Sequence, residues 1–587
     1  MKDTIKISLK TGLYGGIAAV YVSMVGMIET FGERDMIRDV ISLGHVLLLL
    51  IIVGAGYLAV RGLDRYINPP HRETKEDIPR GQVLISGLIA GLIVTSLPAI
   101  LALVAEPFNA RNVLVNVSPA LIEMLTFGQG LIVGNILLLA SGAVLGATGG
   151  FIYVLPPKTR QAIISGFLWL AFLGMLSDLI RVSLSRPGIP TFIPRLFVTS
   201  NGLSIVGAIT VVVLVIILAI YGRTWGENAR GRIEELPEER QKALRYGQWG
   251  FILLVLISLP FIVGKYPSEV LVNIGIYVLM GFGINIVVGM AGLLDLGYVA
   301  FFAVGAYFMA LLTSIDPEVA GLQLNFWMAL PFVIIVTGLT GLLVGAPVLK
   351  MRGDYLAIVT LGFGEIARFL ALSDWFKPWL GGAQGIIKIP NIFIGDIEFV
   401  GPQQLYYLFL FASLIVLFIS YRIKGSRVGR AWVAMREDED VAEAMGINTI
   451  YYKLLAFGMG AMIASVSGAI FAAKLGTIYP HSFNVYVSIT ALSLLIVGGI
   501  GSLPGVLAGA AVLVGLPELL REFSEFRFLF YGALLIIMML LKPEGFLPSV
   551  RRARELHEKE LSQDAWTHKT APATPAANPA HQTEGGD

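Results

Sequence analysis

The sequence predicts an all-α protein that crosses a membrane many times, and three observations lead to that fold class. Of 587 residues, 56% are hydrophobic and 14% are charged, with a mean hydropathy of +0.76, whereas soluble domains carry roughly 25% charged residues. The apolar residues fall into blocks of about twenty, the length at which a helix crosses a bilayer. The basic residues between the blocks gather on one side of the predicted membrane. A large soluble enzyme is therefore strongly disfavoured.

The apolar blocks predict about sixteen membrane spans, of which about six lie in residues 1–222. The basic start of the chain leads into the first block without a short small-residue cleavage site, so we interpret that block as a retained span. The sequence GGIGSLPG at 498–505 is left open as a turn or a break inside the membrane. The blocks lie at 11–30, 40–60, 82–107, 128–155, 160–184, 201–222, 249–264, 269–290, 293–313, 326–349, 354–372, 404–421, 450–475, 486–500, 504–520 and 527–541.

The charges in the loops predict the orientation, because Lys and Arg are enriched on the cytoplasmic side of membrane proteins. Counting spans puts every basic cluster on the same side as the N-terminus. We therefore expect the clusters and both termini to be cytoplasmic. The clusters lie at 61–80, Lys158 with Arg160, 223–245, Lys350 with Arg352, 422–436, and in the tail from Lys542.

A charged linker, residues 223–248, divides the chain. Its alternating acidic and basic residues are typical of an exposed or amphipathic helix. It separates an N-terminal membrane block, residues 1–222, from a C-terminal one, residues 249–552. Residues 553–587 are rich in Pro, Ala, Thr and Gly without periodicity. They predict a disordered cytoplasmic tail, since they cannot bury enough apolar surface to offset the entropy of ordering.

The sequence lacks the residues that several classes of chemistry require. There is no Cys, and the six His residues are scattered without metal-ligand spacing, so we do not expect an enzyme or a metal site. No G-x-x-x-x-G-K-[ST] loop is present to hold ATP phosphates. A net charge of +2 is too small to suggest nucleic-acid binding. An ion-coupled secondary transporter would more often show inverted repeats, and none is clear.

The charged segment, Ser426–Asn448, is the densest run of charge within the membrane-spanning region. Basic residues come first, an acidic cluster follows, and apolar residues recur at helical spacing. Gly446 with Asn448 predicts a helix end. We expect one or two short helices on the cytoplasmic surface, acting either as a solvated loop or as a docking element for a soluble partner.

The charged segment resembles the cytoplasmic coupling helix of the permeases of branched-chain amino acid ABC importers. The family pattern S-R-x-G-R-A-x-x-A-I-R-E-(D/N)-E-x-x-A-E-A-x-G-I-N agrees with it nearly throughout. Three further blocks resemble family motifs in the same order, and together the four cover about residues 246–552, closest to the M-type of the two paired permeases. The blocks are GMAGLLDLGYVAFFAVGAYFMALL at 289–312, MRGDYLAIVTLGFGEIARFL with WLGGAQGI at 351–386, and LLIVGGIGSLPGVLAGAAVLVGLPELLR at 494–521.

The resemblance implies an ABC importer permease fold in the C-terminal half, in the inner membrane of a prokaryote. It implies a second permease subunit, two ABC ATPase subunits and an extracytoplasmic substrate-binding protein. ATP would be bound by the ATPase subunits, with no cofactor in this chain, and would drive alternating access for branched-chain amino acids. The residues implied to couple to the ATPase are Arg427, Gly429, Arg430, Arg436, Glu437, Asp438, Glu439, Ala442, Glu443 and Gly446.

Departures from the family pattern leave the substrate open, so a urea or other amide importer is an alternative. Asp295 stands where Ser is usual, Tyr298 where His is frequent, and Leu380 where Thr is usual. Glycines near helix breaks and ionisable groups at membrane depth are candidates for the translocation pathway, although such glycines also serve helix packing. The candidates are Gly289, Asp295, Gly297, Thr360, Glu365, Gly381, Gly382, Gly498 and Gly499.

Glu365 and Arg368 lie one helical turn apart, and we expect them to pair structurally rather than to contact the solute. For Asp295 both roles stay open. The SLGH tetrapeptide at Ser42–His45 can be compared with DLGY at Asp295–Tyr298. No second charged segment or GGxGS motif accompanies it. We therefore expect the N-terminal block to be an accessory membrane domain, not a fused partner permease.

Overall fold

The computed structural model describes residues 2–38, 40–68, 78–105, 107–108, 110–184, 196–199, 202–234, 237–316, 321–348, 351, 353–519 and 525–548. Within these ranges, ten helices are long and apolar enough to cross a membrane, and four shorter apolar helices accompany them. The predicted all-α, multi-pass fold is thus confirmed. The predicted tail and the basic residues Lys350 and Arg352 lie outside the described residues. The chain forms two compact units, Met1–Leu256 and Ile257–Asp587.

The N-terminal unit is a bundle of long helices with a small sheet. In the sheet, Asp35–Ile37 pairs antiparallel with Ile41–Ser42 and parallel with Gly202–Leu203, which pairs in turn with Val198–Thr199. The helices, apart from a short 3₁₀ turn at Ala110–Asn112, are Lys2–Met24, Met27–Gly32, Leu43–Ile67, Arg80–Ala105, Pro119–Leu125, Leu131–Val154, Pro157–Met175, Ser177–Leu184, Ile205–Glu234 and Glu238–Val263, the last of which runs into the second unit.

Close glycine contacts hold the long helices of the N-terminal unit together. A Cβ atom on Gly56 would lie 2.1 Å from the Gly146 carbonyl oxygen, and one on Gly146 would lie 2.3 Å from the Gly87 carbonyl oxygen. Only glycine, which has no Cβ atom, allows helix backbones to approach so closely. The segment predicted as one span at 160–184 is two helices that meet at Leu176. The two ends of the predicted linker, residues 223–248, are helical, because the helices Ile205–Glu234 and Glu238–Val263 extend into it.

The C-terminal unit contains a large buried core and helices that are repeatedly interrupted. Its elements also include a hairpin, Ile392–Ile394 with Ile397–Phe399. The α-helices are Lys265–Ile284, Val299–Thr313, Phe326–Val348, Asp354–Leu372, Lys377–Leu380, Pro402–Lys424, Arg427–Glu437, Glu439–Ala444, Thr449–Leu475, Val485–Gly498, Leu503–Ala510, Leu516–Leu519 and Arg527–Leu541. The first of them continues as a π-helical turn, Asn285–Met290, and a second π-helical turn, Ala511–Gly515, joins Leu503–Ala510 to Leu516–Leu519. Short 3₁₀ turns lie at Gly382–Gln384 and Pro480–Ser482.

Two breaks interrupt this unit where apolar sequence runs on. The first break, residues 291–298, is non-helical although the sequence predicted a continuous span at 293–313. The second break, residues 499–502, lies within the GGIGSLPG sequence and separates the helix Val485–Gly498 from the helix Leu503–Ala510. Glycines permit both, because Gly292 has a φ of 74° and Gly499 a φ of 120°, values that other residues adopt at a cost.

Candidate functional site

The charged segment folds as two short helices, Arg427–Glu437 and Glu439–Ala444. Asp438 separates them because its backbone is extended, and its Oδ1 accepts a hydrogen bond from Val441 N at 3.0 Å. Gly446, with a φ of 85°, ends the pair. The reading of Asn448 as part of this stop is wrong, because Asn448 caps the next helix by accepting from Tyr451 N at 3.0 Å.

The inner face of the charged segment is anchored in the core of its own unit. Trp432 is fully buried, and its Nε1 donates to the Tyr452 carbonyl oxygen at 2.8 Å. Met435 and Ala442 are buried as well. A Cβ atom on Gly429 would lie 2.3 Å from the Ile423 carbonyl oxygen. Gly429 and Ala442, both predicted to couple to the ATPase, therefore belong to the inner face.

The outer face carries most of the other predicted coupling residues. Two large apolar side chains are exposed among them, Val441 at 58% and Met445 at 79%. An exposed apolar pair ringed by charge has the composition of a protein–protein contact with an apolar centre and a polar rim. The exposed predicted residues are Arg427, Arg430, Glu437, Asp438, Glu443 and Gly446.

Arg436 of the charged segment and Lys424, the last residue of the preceding helix Pro402–Lys424, contact the backbone at the two helix breaks. Arg436 Nη1 donates to the Gly289 carbonyl oxygen at 2.5 Å, beside the first break. A Cβ atom on Gly292 would lie 2.8 Å from Arg436 Cγ. Any other residue at position 292 would therefore clash with the Arg436 side chain. Lys424 Nζ donates to the carbonyl oxygen of Gly501, in the second break, at 3.0 Å.

A buried ion pair ties the second short helix to the span that follows it. Lys453 Nζ lies 2.5 Å from Glu439 Oε1, and the Lys453 side chain is only 5% exposed. Removing one partner of such a pair leaves an uncompensated buried charge, which is strongly unfavourable. The charged segment is therefore fixed to Thr449–Leu475 as well as to the two breaks.

The helical turn that precedes the first break contacts the second break directly. Asn285 is fully buried, and its Oδ1 accepts a hydrogen bond from Gly501 N at 3.0 Å. A Cβ atom on Gly289 would lie 2.1 Å from Asn285 Oδ1 and 2.9 Å from Gly501 N. Gly289 thus allows the close approach of this helical turn to the second break. At the second break a Cβ on Gly498 would lie 1.9 Å from the Gly505 carbonyl oxygen.

The first break contains a buried carboxylate. Asp295 is 1% exposed, and its Oδ1 accepts a hydrogen bond from Gly297 N at 2.9 Å. No described residue donates a hydrogen bond to its Oδ2. A Cβ atom on Gly297 would lie 1.8 Å from the Thr360 carbonyl oxygen, and Thr360 Oγ1 accepts from Leu296 N at 3.1 Å. The structure thus brings Asp295, Gly297 and Thr360 together.

Other pathway candidates lie elsewhere. Glu365 Oε2 accepts from Arg368 Nη2 at 2.7 Å, which confirms the predicted pairing. Gly381 and Gly382 have φ values of 75° and 60° and form a turn that leads into the pairing of Ile386 with Ile478. These glycines are not brought to Asp295.

The chain's last described residues close the second break. Gly499 N donates to the Leu495 carbonyl oxygen at 2.8 Å, which completes the helix before the break. Phe546 N and Leu547 N donate to the carbonyl oxygens of Val497 and Gly498 at 2.8 and 2.9 Å. The carbonyls at this interrupted helix end are therefore satisfied within the protein, as required at membrane depth.

Sequence reasoning did not single out Asn285 or Lys453. Each is a strongly polar residue in an otherwise apolar helical run, and such residues are expensive unless they have a partner or a function. That signal could have identified them as candidates. Their partners could not be found from sequence, since Asn285 meets Gly501 across 216 positions.

Long apolar helices with two breaks among them and a surface helix pair define a multi-pass membrane protein, and the comparisons with known proteins give its class, the transport permeases. Residues 266–541 match the family described as branched-chain amino acid transport system, permease component. The chain is 38% identical over 323 residues to the high-affinity branched-chain amino acid transport system permease protein LivM of Salmonella typhimurium, covering 51% of this chain and 74% of that protein.

Two further relatives agree with that match. The LivM protein of Escherichia coli is 37% identical over 323 residues, covering 74% of its length. The permease protein LivH of Escherichia coli is 25% identical over 292 residues, covering 46% of this chain and 91% of LivH. No solved structure matches the chain. The chain therefore belongs to the family of branched-chain amino acid transport permeases, as the resemblance predicted.

Proposed function

We propose that this chain is one permease subunit of an ATP-driven importer of branched-chain amino acids. Separate ATPase subunits dock on the outer face of the charged segment, and this chain itself binds no ATP. The observation that carries the proposal is the hydrogen bond from Arg436 to the Gly289 carbonyl oxygen. It links a surface suited to a soluble partner to the helical turn beside the first break.

The geometry supports transmission of movement from that surface. A partner bound around Val441 and Met445 would displace two helices whose inner face is fixed by Trp432. Arg436 holds the backbone beside the first break, and Lys424, just before the charged segment, holds the backbone of the second break. Displacement of the helix pair would therefore shift both regions together. Such coupling between the docking surface and the breaks is carried by an element with two arrangements. Binding at either site shifts the balance between those arrangements.

The remaining parts of the proposal follow from charge and from the relatives. The charged segment faces the cytoplasm together with both termini, since the basic loops share one side. The printed names of the relatives support branched-chain amino acids as the solute and a second permease as partner. An extracytoplasmic binding protein delivers the solute. Residues 1–222 form an accessory membrane domain, because the family match begins only at residue 266.

The proposal is tested by co-purification with candidate ATPase subunits, followed by uptake of labelled leucine, isoleucine, valine and urea into proteoliposomes. We expect uptake of the three amino acids that requires both ATP and a binding protein. Uptake of urea alone would replace the substrate assignment with the amide alternative. Solute accumulation on an ion gradient without ATP would contradict the proposal.

A pair of variants locates the docking surface. Met445→Asp places a charge at the exposed apolar centre of the charged segment, and we expect it to abolish co-purification with the ATPase subunits. Ile397→Asp is the matched control, because Ile397 is 61% exposed but lies on the hairpin at the other side of the predicted membrane. Equal co-purification of the two variants would place the ATPase contact elsewhere.

A further inference from the structure

A cavity of about 350 Å³ lies in the C-terminal unit, at the end away from the charged segment. One of its lining residues, Asn273, lies on the same helical run as Gly289, which contacts Arg436. The two residues are separated by about 24 Å at 1.5 Å per residue. Another lining residue, Phe471, follows Thr449 by about 33 Å along its helix. The cavity and the docking surface are therefore at opposite ends of this unit.

Six of the sixteen residues that line the cavity are aromatic, and several of their rings are held in place. Tyr531 OH donates to the Leu513 carbonyl oxygen at 2.7 Å. The ring centroids of Phe302 and Phe471 are 5.1 Å apart, as are those of Tyr486 and Phe528. Such a wall fits an apolar group of a ligand, since small-molecule sites are mostly apolar with a few placed polar groups.

The floor of the cavity is closed. Phe302 is 2% exposed and Met280 is fully buried, and both line the cavity. Tyr486 and Phe528, in contrast, are 58% and 60% exposed. The accessible side is therefore the one marked by these two rings. A ligand inside would be separated from the charged segment by packed side chains.

Three polar side chains supply the fixed contacts. Asn273 Oδ1 accepts from Lys474 Nζ at 2.6 Å, so the Asn273 amide nitrogen is left oriented as the donor. Asn484 precedes the helix Val485–Gly498 without capping it, and its buried Oδ1 receives no hydrogen bond from a described residue. Glu518 adds a half-buried carboxylate. One donor and two acceptors thus surround an apolar space.

We propose that this cavity binds the solute on the extracytoplasmic side, as an α-amino acid with an apolar side chain. The side chain of the solute packs against Phe302 and Phe471. Its ammonium group donates to Glu518 and Asn484, and its carboxylate accepts from Asn273. This assignment rests on the proposed importer function. It favours amino acids over urea, because urea has no apolar group to cover the ring wall.

The test uses the complete transporter in proteoliposomes with labelled leucine. Thr490→Trp fills the cavity, since Thr490 lines it. Thr340→Trp is the matched control, because each hydroxyl donates to the carbonyl four residues earlier, at 2.8 and 2.9 Å, and Thr340 does not line the cavity. We expect Thr490→Trp to abolish leucine uptake and to retain basal ATP hydrolysis, while Thr340→Trp transports normally.

A second variant tests the polar contacts. Glu518→Gln removes a charged hydrogen-bond partner of the ammonium group, and we expect the KM for leucine to rise about tenfold or more. Leucine should also raise the melting temperature of the purified wild-type assembly but not of the Thr490→Trp assembly. That binding measurement does not depend on transport.

The outcomes separate the cavity from the proposed function. Normal leucine uptake by Thr490→Trp and Glu518→Gln would overturn the cavity assignment and leave the importer function standing. Absence of ATP-dependent uptake by the wild type would contradict the importer function, and the melting-temperature shift would then decide the cavity. A shift lost in Thr490→Trp supports the cavity, and no shift in the wild type overturns it.

Discussion

Two similar tetrapeptides occupy the two units of this protein, SLGH at Ser42–His45 and DLGY at Asp295–Tyr298. In both, the side chain of the first residue accepts a hydrogen bond from a backbone N–H that lies two or three residues later in the chain. Ser42 Oγ accepts from His45 N, and Asp295 Oδ1 accepts from Gly297 N. In both, the fourth side chain makes a hydrogen bond to a distant carbonyl oxygen, His45 to Met124 at 3.3 Å and Tyr298 to Gly460 at 2.8 Å.

The surroundings of the two tetrapeptides differ. SLGH starts a continuous helix, Leu43–Ile67, packed through glycines against its neighbours. DLGY ends a non-helical break whose carboxylate has one oxygen without a described partner. The same local chemistry therefore serves the start of a continuous helix in one unit and a helix break in the other. We therefore propose that the helix breaks of the C-terminal unit move during transport, whereas the helix Leu43–Ile67 of the N-terminal unit does not.

The largest effect is expected for Gly297→Ala. Its Cβ would lie 1.8 Å from the Thr360 carbonyl oxygen, against 2.4 Å from the Ile28 carbonyl oxygen for Gly44→Ala. Overpacking against backbone costs about 3 kcal/mol or more, so we expect little folded Gly297→Ala protein and a milder loss for Gly44→Ala. Gly362→Ala is the control, since nothing lies within 4 Å of its Cβ. Monodisperse yield in detergent measures this, and equal yields for Gly297→Ala and Gly362→Ala would contradict it.

The next largest effect is expected for Glu365→Gln. Glu365 follows Asp354 by about 16 Å along the helix, which places the ion pair near the middle of a span. The variant leaves Arg368 alone at membrane depth, at a cost of roughly 2.5–3.5 kcal/mol. The double variant Glu365→Gln/Arg368→Gln should recover much of the loss. Thermal stability in detergent checks both, and additive losses would show that the two residues do not act as a pair.

Asp295→Ser should change transport and leave assembly intact. Serine can accept the hydrogen bond from Gly297 N, so the break is expected to persist while the buried carboxyl group is lost. We expect a change of about tenfold in uptake rate or in the preference among leucine, isoleucine and valine, comparable to one charged hydrogen bond. Kinetics identical to those of the wild type across all three solutes would remove Asp295 from the pathway.

Ser42→Ala tests the other tetrapeptide and should have the smallest effect. Loss of this helix cap costs about 1 kcal/mol, so we expect a slightly lower melting temperature. Uptake kinetics should not change, because this helix is not interrupted. A kinetic change as large as that of Asp295→Ser would show that the two units do not differ in the way proposed.

The sequence predicted much of this arrangement because it lies in local patterns. The length of apolar blocks predicted spanning helices, the spacing of Glu365 and Arg368 predicted their pairing, and the charged segment's periodicity predicted short surface helices. The extent of the first break was missed, since an apolar run such as 293–313 does not indicate which of its residues are helical. The break depends on contacts with Thr360 and Ser488, far along the chain.

The inner and outer faces of the charged segment could not be assigned from sequence either. Arg436 and Arg430 belong to one run of basic residues, yet Arg436 reaches Gly289 across 147 positions and Arg430 bonds to the nearby Gly425 carbonyl oxygen. Side chains of one type at similar spacing thus have different partners. Only the fold of the whole unit decides between them.

The most direct test of the account measures solute taken up per ATP hydrolysed for Arg436→Met. Arg427→Met is the control, because Arg427 is exposed on the same short helix and should affect docking alone. We predict that Arg436→Met keeps ATPase association and hydrolysis while uptake per ATP falls at least about tenfold, and that Arg427→Met keeps the wild-type ratio. A wild-type ratio for Arg436→Met would contradict the claim that the charged segment moves the helix breaks.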